Sequence, residues 1–240
     1  MLVFAALQAH AYAVRTTDDG TPVRWPAWPV AWDHGTDEVE LPEGAGEALE
    51  ASFATWQLAD TEVEFLEQDP ASDAVPKKAA DGHNHVWSVT PWPLAYGTTI
   101  ALASVWCDGD GNVVSFDIQV SGDVPWSVTG EPGAYDLQAA ITHEVGHVLG
   151  LEHSDLPEAV MFPSTGMSAT GKRDLDLDDI DGAHFLYADD GEEDALPTPS
   201  ILTGSGCSTG PTRGGLAPLL LFTPFLRRRA RLQEVACSRS

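Results

Sequence analysis

The stretch HEVGHVLGLEHS, residues 143–154, contains two glutamates, Glu144 and Glu152, and three of the eight histidines of the chain. His143 and His147 are four positions apart, so on a helix their side chains would lie on one face, one turn apart. Two imidazoles at this spacing can bind one Zn²⁺ at about 2.0–2.1 Å per nitrogen. Glu144 follows the first histidine directly, where a carboxylate can accept a proton from a metal-activated water without binding the metal.

Gly150 predicts how a third histidine reaches the same metal. A helix continued through residue 153 would point His153 in another direction, but glycine tolerates the left-handed backbone that ends a helix and reverses the chain. Three protein ligands leave a fourth position open, which is typical of a catalytic zinc. The alternative is that these are ordinary helix histidines that face solvent. That interpretation explains neither Gly150 nor His153.

The complete HExxHxxGxxH pattern resembles the metzincin zinc peptidases, and within them the matrixins. The resemblance implies an α+β (α/β-like) catalytic domain with a twisted, mostly parallel sheet, three helices, and an active-site helix followed by a Met-turn. In AVMFPSTG, residues 159–166, it implies that Met161 lies beneath the zinc. Pro163 would line the pocket for the substrate residue after the scissile bond. Leu102 and Ala103 would belong to an edge strand that binds substrate.

The same resemblance extends to three polar positions downstream of the motif. Ser154 directly follows the third histidine, as in matrixins, and Asp178 and Asp179 match an acidic pair on the last helix. The resemblance implies that this pair anchors the Met-turn segment.

Two positions depart from the matrixin pattern. Matrixins usually hold a second, structural zinc with histidines, but the matching residues here are Ser104 and Ser115. A serine hydroxyl is a poor zinc ligand. We therefore predict one catalytic zinc and no structural zinc.

Two other polar stretches have simpler interpretations than metal sites. DGDGN, residues 108–112, alternates oxygen-bearing side chains but lacks the glycine and terminal glutamate of a calcium loop. It predicts a hairpin turn, so calcium binding has no support in the sequence. His83 and His85 have no further ligand nearby and are predicted to be surface histidines.

Hydrophobic periodicity predicts helices at 44–59, 136–149 and 176–187, with strands between the first two. Leu49, Phe53 and Trp56 recur at helical spacing, and Asp136 is a candidate helix cap. This order of elements predicts one α+β domain.

The composition excludes one class of partner. The chain has 240 residues with 37 acidic and 12 basic side chains, a formal net charge of −25. Such a surface repels phosphate backbones, so we expect no nucleic-acid partner. We expect a monomer that binds a protein or peptide substrate. The three cysteines, Cys107, Cys207 and Cys237, predict no disulfide framework.

The ends of the chain predict export. Residues 1–13 are largely apolar and end in Ala-Tyr-Ala, so they predict a signal peptide before a domain at 14–188. Because the stretch lacks a positively charged start, a buried first segment is the alternative. An acidic, Pro- and Gly-rich linker follows at 189–206. Residues 207–240 carry a cysteine, an apolar run and an arginine cluster, and resemble myxobacterial sorting tails that attach proteins to the cell surface. The apolar run has 11 residues, short of the ~20 that cross a bilayer, so an unstructured tail is the alternative.

These observations predict a secreted or surface-attached zinc endopeptidase. Two alternatives stay open: a non-catalytic metzincin scaffold displayed for binding, and a hydrolase that acts on something other than peptides. We expect no matrixin propeptide with its zinc-binding cysteine before the domain. Any latency would then be achieved by another means.

Overall fold

The computed structural model describes residues 11–35, 41–69 and 78–188, and the backbone of residues 231–239. Within these residues three α-helices form: α1 (Ala45–Gln57), α2 (Leu137–Leu149) and α3 (Leu177–Tyr187). Short 3₁₀ turns occur at Leu94–Tyr96 and Gly171–Arg173. The three predicted helices are confirmed to within a residue or two at each end.

The described strands follow in chain order: β1 (Ala13–Val14), β2 (Val30–His34), β3 (Phe65–Glu67), β4 (His85–Val89), β5 (Thr99–Cys107), β6 (Val113–Ser121), β7 (Trp126–Ser127), β8 (Tyr135–Asp136), β9 (Leu151–Glu152), β10 (Ser164–Thr165) and β11 (Arg231–Arg239). They have five residues or fewer, except for three nine-residue strands, β5, β6 and β11.

Seven of these strands form one sheet in the order β10-β11-β5-β6-β4-β2-β3. The pairs β6–β4, β4–β2, β2–β3 and β10–β11 are parallel, whereas β5 runs antiparallel to both β6 and β11. The predicted mostly parallel sheet in an α+β fold is therefore confirmed. The predicted turn at 108–112 joins β5 to β6, and Asp108 Oδ1 accepts the backbone N–H groups of Asp110 and Asn112 at 2.9 Å each.

The main core lies between one face of this sheet and helices α1 and α2. Trp56 of α1 is fully buried, and its indole N–H donates to the Thr142 carbonyl oxygen of α2 at 2.8 Å. Phe53 stacks on Trp32 of β2 with ring centroids 4.0 Å apart. Leu49 is buried as well, so the predicted apolar face of α1 is confirmed. These contacts fix α2 against the sheet, where it can position functional side chains.

Helix α2 begins at the predicted cap. The Asp136 carboxylate accepts the Ala139 N–H at 2.9 Å, which satisfies one of the free donors in the first turn. Arg173 donates to both oxygens of the same carboxylate, from Nε at 2.9 Å and from Nη2 at 2.6 Å. This two-point ion pair also ties the Gly171–Arg173 turn to the start of the helix.

The prediction that His83 and His85 are both surface residues is wrong for His85. His85 is 5% exposed, because β4 is paired on both edges and residues 78–81 cross the outer face of the sheet. Ala79 N–H donates to Asp117 Oδ2 on that face at 3.0 Å, and His85 Nδ1 lies 2.7 Å from Asp33 Oδ1. His83 is exposed, as predicted.

Residues before the predicted domain start are also packed on the domain. The N–H groups of Ala11 and Tyr12 donate to Asp178 Oδ1 at 2.6 and 2.9 Å, and β1 pairs antiparallel with β9. Cleavage after Ala13 would remove both donors. Residues 1–10 of the predicted signal peptide, the 189–206 linker and residues 207–230 lie outside the described residues. No helix among the described residues is long and apolar enough to cross a membrane.

The end of α2 depends on Gly150. Its φ of 103° is left-handed, and its N–H bonds back to the carbonyl oxygens of Gly146 and His147. A Cβ at this position would lie 2.0 Å from the Val23 carbonyl oxygen, closer than atoms can approach. Both the backbone conformation and the available space therefore require glycine.

We expect Gly150→Ala to destabilise the fold much more than a matched control. Gly20 has a similar φ of 88° but open space where a Cβ would be added, so Gly20→Ala reports only the backbone strain. The clash with Val23 should cost Gly150→Ala a further 1–3 kcal/mol or so in the free energy of unfolding. Urea denaturation of both variants with a chelator present measures this difference without a metal contribution. Equal unfolding midpoints would contradict the role given to the Val23 contact.

Candidate active site

Three histidine side chains converge after the turn at Gly150. His143 and His147 project from one face of α2, and His153 follows β9. Ring centroids lie 4.8 Å apart for His143 and His147, 5.3 Å for His143 and His153, and 4.9 Å for His147 and His153. One candidate ligand atom from each histidine lies within 4.8 Å of the other two. Among the described residues, no other group of three His, Cys, Asp or Glu side chains is arranged to bind a metal.

Backbone carbonyl groups determine which nitrogen each helix histidine presents. His143 Nδ1 lies 2.7 Å from the Val160 carbonyl oxygen, and His147 Nδ1 lies 2.8 Å from the Leu151 carbonyl oxygen. Since a carbonyl only accepts, each Nδ1 carries the proton and each Nε2 presents a lone pair. Both Nε2 atoms are buried and have no hydrogen-bond partner within the described part of the chain. A buried Nε2 lone pair without a hydrogen-bond partner is what a metal ligand presents before the metal binds.

Burial also keeps these two rings neutral. It lowers the pKa of His143 to about 3, and lowers the pKa of His147 well below its usual value. Neutral imidazole is the form that binds a metal, so at neutral pH the site needs no proton release from these rings before a metal can bind.

Glu144 lies beside the histidines and is fully buried. Its Oε2 accepts the backbone N–H of Ala103 in β5 at 2.8 Å. This bond joins the carboxylate of α2 to the middle of β5, at the edge where β11 pairs. Leu102 and Ala103 are both buried in β5. The structure thus brings the predicted general base and the predicted substrate strand into direct contact.

The segment around Met161 packs against α2 at Gly146 and contacts His143 through the Val160 carbonyl oxygen. Met161 is 1% exposed, and its sulfur lies so close to α2 that a Cβ on Gly146 would be 2.2 Å from it. Asp179 accepts the N–H groups of Val160 and Met161 at 2.8 and 3.0 Å. Burial raises the pKa of Asp179, and the two N–H bonds oppose that rise. Because Val160 also accepts from His143, Asp179 indirectly positions that ring.

The other member of the acidic pair supports the loop after His153. Asp178 Oδ2 accepts the Ser154 hydroxyl at 2.7 Å, and Ser154 N–H donates to the Met161 carbonyl oxygen at 2.9 Å. Both aspartates thus contact the segment between His153 and Met161, in the arrangement that the resemblance implies.

Pro163 is half-buried and immediately precedes β10. Lys172 fixes this stretch, since its ammonium donates to the carbonyl oxygens of Phe162 and Ser164 at 2.7 and 2.8 Å. Pro163 therefore lies between two carbonyl groups that Lys172 holds in position, on the segment that joins the Met161 turn to β10.

Ser104 and Ser115, the positions expected to replace the ligands of a structural zinc, lie on the outer face of the sheet. Both are fully buried, and within the described residues neither hydroxyl oxygen has a hydrogen-bond partner. Asp117 lies opposite Ser104 in the β5–β6 pairing, and burial raises its pKa to about 8. The absence of a structural zinc stays a prediction. Cys107, at the end of β5, is buried.

Two positioning features were not predicted from the sequence. Lys172 belongs to no motif, and its only distinguishing signal is that it is one of three lysines in so acidic a chain. The carbonyl groups of Val160 and Leu151 have no sequence signal, because any residue supplies the same acceptor.

Comparison with known proteins agrees with this geometry. A family model described as matrixin matches residues 42–188. The chain is 37% identical over 105 residues to the metalloendoproteinase 2-MMP of Arabidopsis thaliana, covering 43% of this chain and 25% of that protein. It is 30% identical over 141 residues to karilysin of Tannerella forsythia, covering 58% of this chain and 28% of karilysin.

A third relative is human matrix metalloproteinase-16, 36% identical over 101 residues, which cover 41% of this chain and 16% of the relative. The chain spans 16–28% of the length of these curated relatives. The family match covers more than half of the chain and includes all three helices and the converging histidines. The chain belongs to the matrixin family.

Proposed function

We propose that the chain is a zinc-dependent endopeptidase with His143, His147 and His153 as metal ligands and Glu144 as general base. The observation that carries this proposal is the pair of buried Nε2 lone pairs on α2, which face a third imidazole beside a buried carboxylate. Leaving such polar atoms buried without a partner costs free energy, so a ligand is needed to offset it.

Zinc bound by these residues would polarise the scissile carbonyl and lower the pKa of a water molecule. Glu144 then accepts the proton of the attacking water and passes it to the leaving amine. The bond from Ala103 N–H holds the Glu144 carboxylate in place. Met161 and the core beneath the histidines exclude water from the lower side of the site.

A peptide substrate would bind by strand addition. The edge of β5 that faces away from β6, which β11 covers in the structure, runs past Leu102 and Ala103 next to Glu144. A substrate would take the place of β11 there. An extended peptide can pair with such an edge through main-chain hydrogen bonds, while pockets for alternate side chains give specificity. We propose that the segment with Pro163 and β10 forms the opposite wall and lines the pocket after the scissile bond.

The main alternative is a non-catalytic scaffold displayed for binding. Binding alone gives no reason to bury an ionisable Glu144 beside three histidines, which favours the enzyme. A hydrolase of other substrates would use the same site chemistry. The position of Glu144 against a strand edge favours extended peptides.

Secretion, with attachment to the cell surface through residues 207–240, is part of the same proposal. It rests on the apolar residues 1–13 and on the cysteine, apolar run and arginine cluster of the tail. Neither residues 1–10 nor residues 207–230 lie within the described structure. Cell fractionation with an antibody against the domain would test this, and recovery in the cytosol would contradict it.

We expect Glu144→Gln to retain zinc and lose the reaction. Glutamine can still accept the Ala103 N–H but cannot accept a proton from water, so the rate of casein cleavage should fall by roughly 10²–10⁴-fold. Elemental analysis on the same sample checks that the zinc content is unchanged. Retention of casein cleavage by a zinc-loaded Glu144→Gln protein would contradict the proposed mechanism.

We expect one zinc per chain, held by the three histidines. His153→Ala should weaken zinc binding more than the 10–100-fold or so typical of supporting residues, because it removes a ligand itself. The matched control is the double variant Ser104→Ala and Ser115→Ala, which should retain one zinc. Competition with a metallochromic chelator gives the affinity, and elemental analysis gives the stoichiometry. Two zinc ions per chain, one of them lost in the serine variant, would show that the serines contribute to a second site.

A further inference from the structure

Strand β11 occupies the edge at which a substrate would bind. Residues Arg231–Cys237 pair antiparallel with Cys107–Ala101 of β5, and Ser238 then pairs with Thr99 after a register shift. On its other side, β11 runs parallel to β10, with Ser238 opposite Ser164 and Arg239 opposite Thr165. The backbone of one nine-residue strand therefore fills the whole space between β5 and β10.

The register places β11 directly over the reactive groups. Val235 pairs with Ala103, the residue whose N–H donates to Glu144, and Ala236 pairs with Leu102. Neighbouring strands lie about 4.7–4.9 Å apart, so the β11 backbone passes within one strand spacing of the residue that holds the general base. Strand β11 also lies against α2, which bears His143 and His147.

We propose that residues 231–239 are an intramolecular inhibitory segment that keeps the cleft closed by strand addition. This inference rests on the proposed function, since it assigns regulation to the same site. The segment uses the main-chain groups of β5 and β10 that an extended substrate needs, so substrate and β11 exclude each other. Access to the site requires β11 to leave the β5 edge.

The length of the connection permits this arrangement within one molecule. Residues 189–230 join α3 to β11, and 42 residues can reach at most roughly 140 Å when extended. A domain of about 175 residues has a radius of gyration of only roughly 16 Å. The segment can therefore reach the β5 edge of its own domain from the end of α3.

Charge favours the same contact. Residues 227–239 contain five of the twelve basic residues and one acidic residue, whereas the rest of the chain contains 36 acidic and seven basic residues. Opposite net charges attract the segment to the acidic domain before any specific pairing forms. Strand addition then sets the register through backbone hydrogen bonds.

Tethering makes a weak segment an effective inhibitor. A linked segment acts at an effective concentration of up to the order of mM, so a segment with a dissociation constant of about 0.1 mM would leave about a tenth of the sites open. We therefore expect the release of β11 to raise kcat/KM for casein by about 10-fold. High salt should raise the activity of the intact chain, because screening weakens the charge attraction.

The experiment compares the full chain with two double variants at the same positions. Val235→Pro with Ala236→Pro removes two successive backbone N–H groups, one of which must face β5 whatever the register, and so should release β11. Val235→Thr with Ala236→Ser retains both N–H groups and is the matched control. Hydrogen exchange of residues 99–107 reports the pairing without any need for catalysis. Casein cleavage by the zinc-loaded proteins reports inhibition, and intact mass reports whether β11 is cut.

We expect the proline variant to lose amide protection in β5 and to cleave casein about 10-fold faster, while the control behaves as the parent chain. Adding a synthetic peptide of residues 231–239 to the proline variant should restore protection and inhibit cleavage. Equal protection of β5 in all three proteins would overturn the proposal. So would cutting within residues 231–239 in the parent chain, because β11 would then be a substrate.

Two further outcomes separate the proposals from each other. If protection is lost in the proline variant but no zinc-loaded protein cleaves casein, the endopeptidase proposal fails and the inhibitory role fails with it, although β11 pairing itself is established. If inhibition increases with protein concentration and dimers appear by light scattering, β11 acts between two copies, and the intramolecular assignment is wrong.

Discussion

The chain reversal at Gly150 is the constraint on which the site depends. A left-handed residue pressed against the Val23 carbonyl ends α2 and sends the chain directly into β9. The same short strand then does three things: it offers the Leu151 carbonyl to His147, pairs with β1, and leads into His153. A longer or looser turn would displace both the Leu151 carbonyl and the His153 imidazole. One backbone conformation therefore couples the helix end to the ligand geometry.

Main-chain groups, more than side chains, orient the functional residues of this site. Carbonyl oxygens of Val160 and Leu151 fix the protonated nitrogen of the two helix histidines, and the Ala103 N–H orients the Glu144 carboxylate. Each of these backbone groups belongs to a different segment, so the site is complete only when the sheet, the Met161 turn and β9 are all folded. Such preorganisation holds the carboxylate and the imidazoles in position before any substrate binds.

The local features of the fold were predictable because each has a short-range signal. Residues close together in the sequence signal the helical spacing in α1, the Asp136 cap and the glycine at the end of α2. The burial of His85 was not predictable in this way, since it depends on strands paired at both edges of β4 and on residues 78–81 crossing above it. The pairing of β11 with β5 joins residues more than 120 positions apart, and its sequence carries no motif.

An exposed edge of a β-sheet carries a risk of aggregation, because its unpaired backbone groups can pair with any extended chain. In a peptidase that binds substrate by strand addition, the edge at risk is also the edge that binds substrate. The β5 edge must therefore be open for substrate and covered otherwise. Strand β11 covers it with nine residues of the same chain. With the inhibitory role that we propose for residues 231–239, the strand that protects this edge from other extended chains also keeps it from substrate.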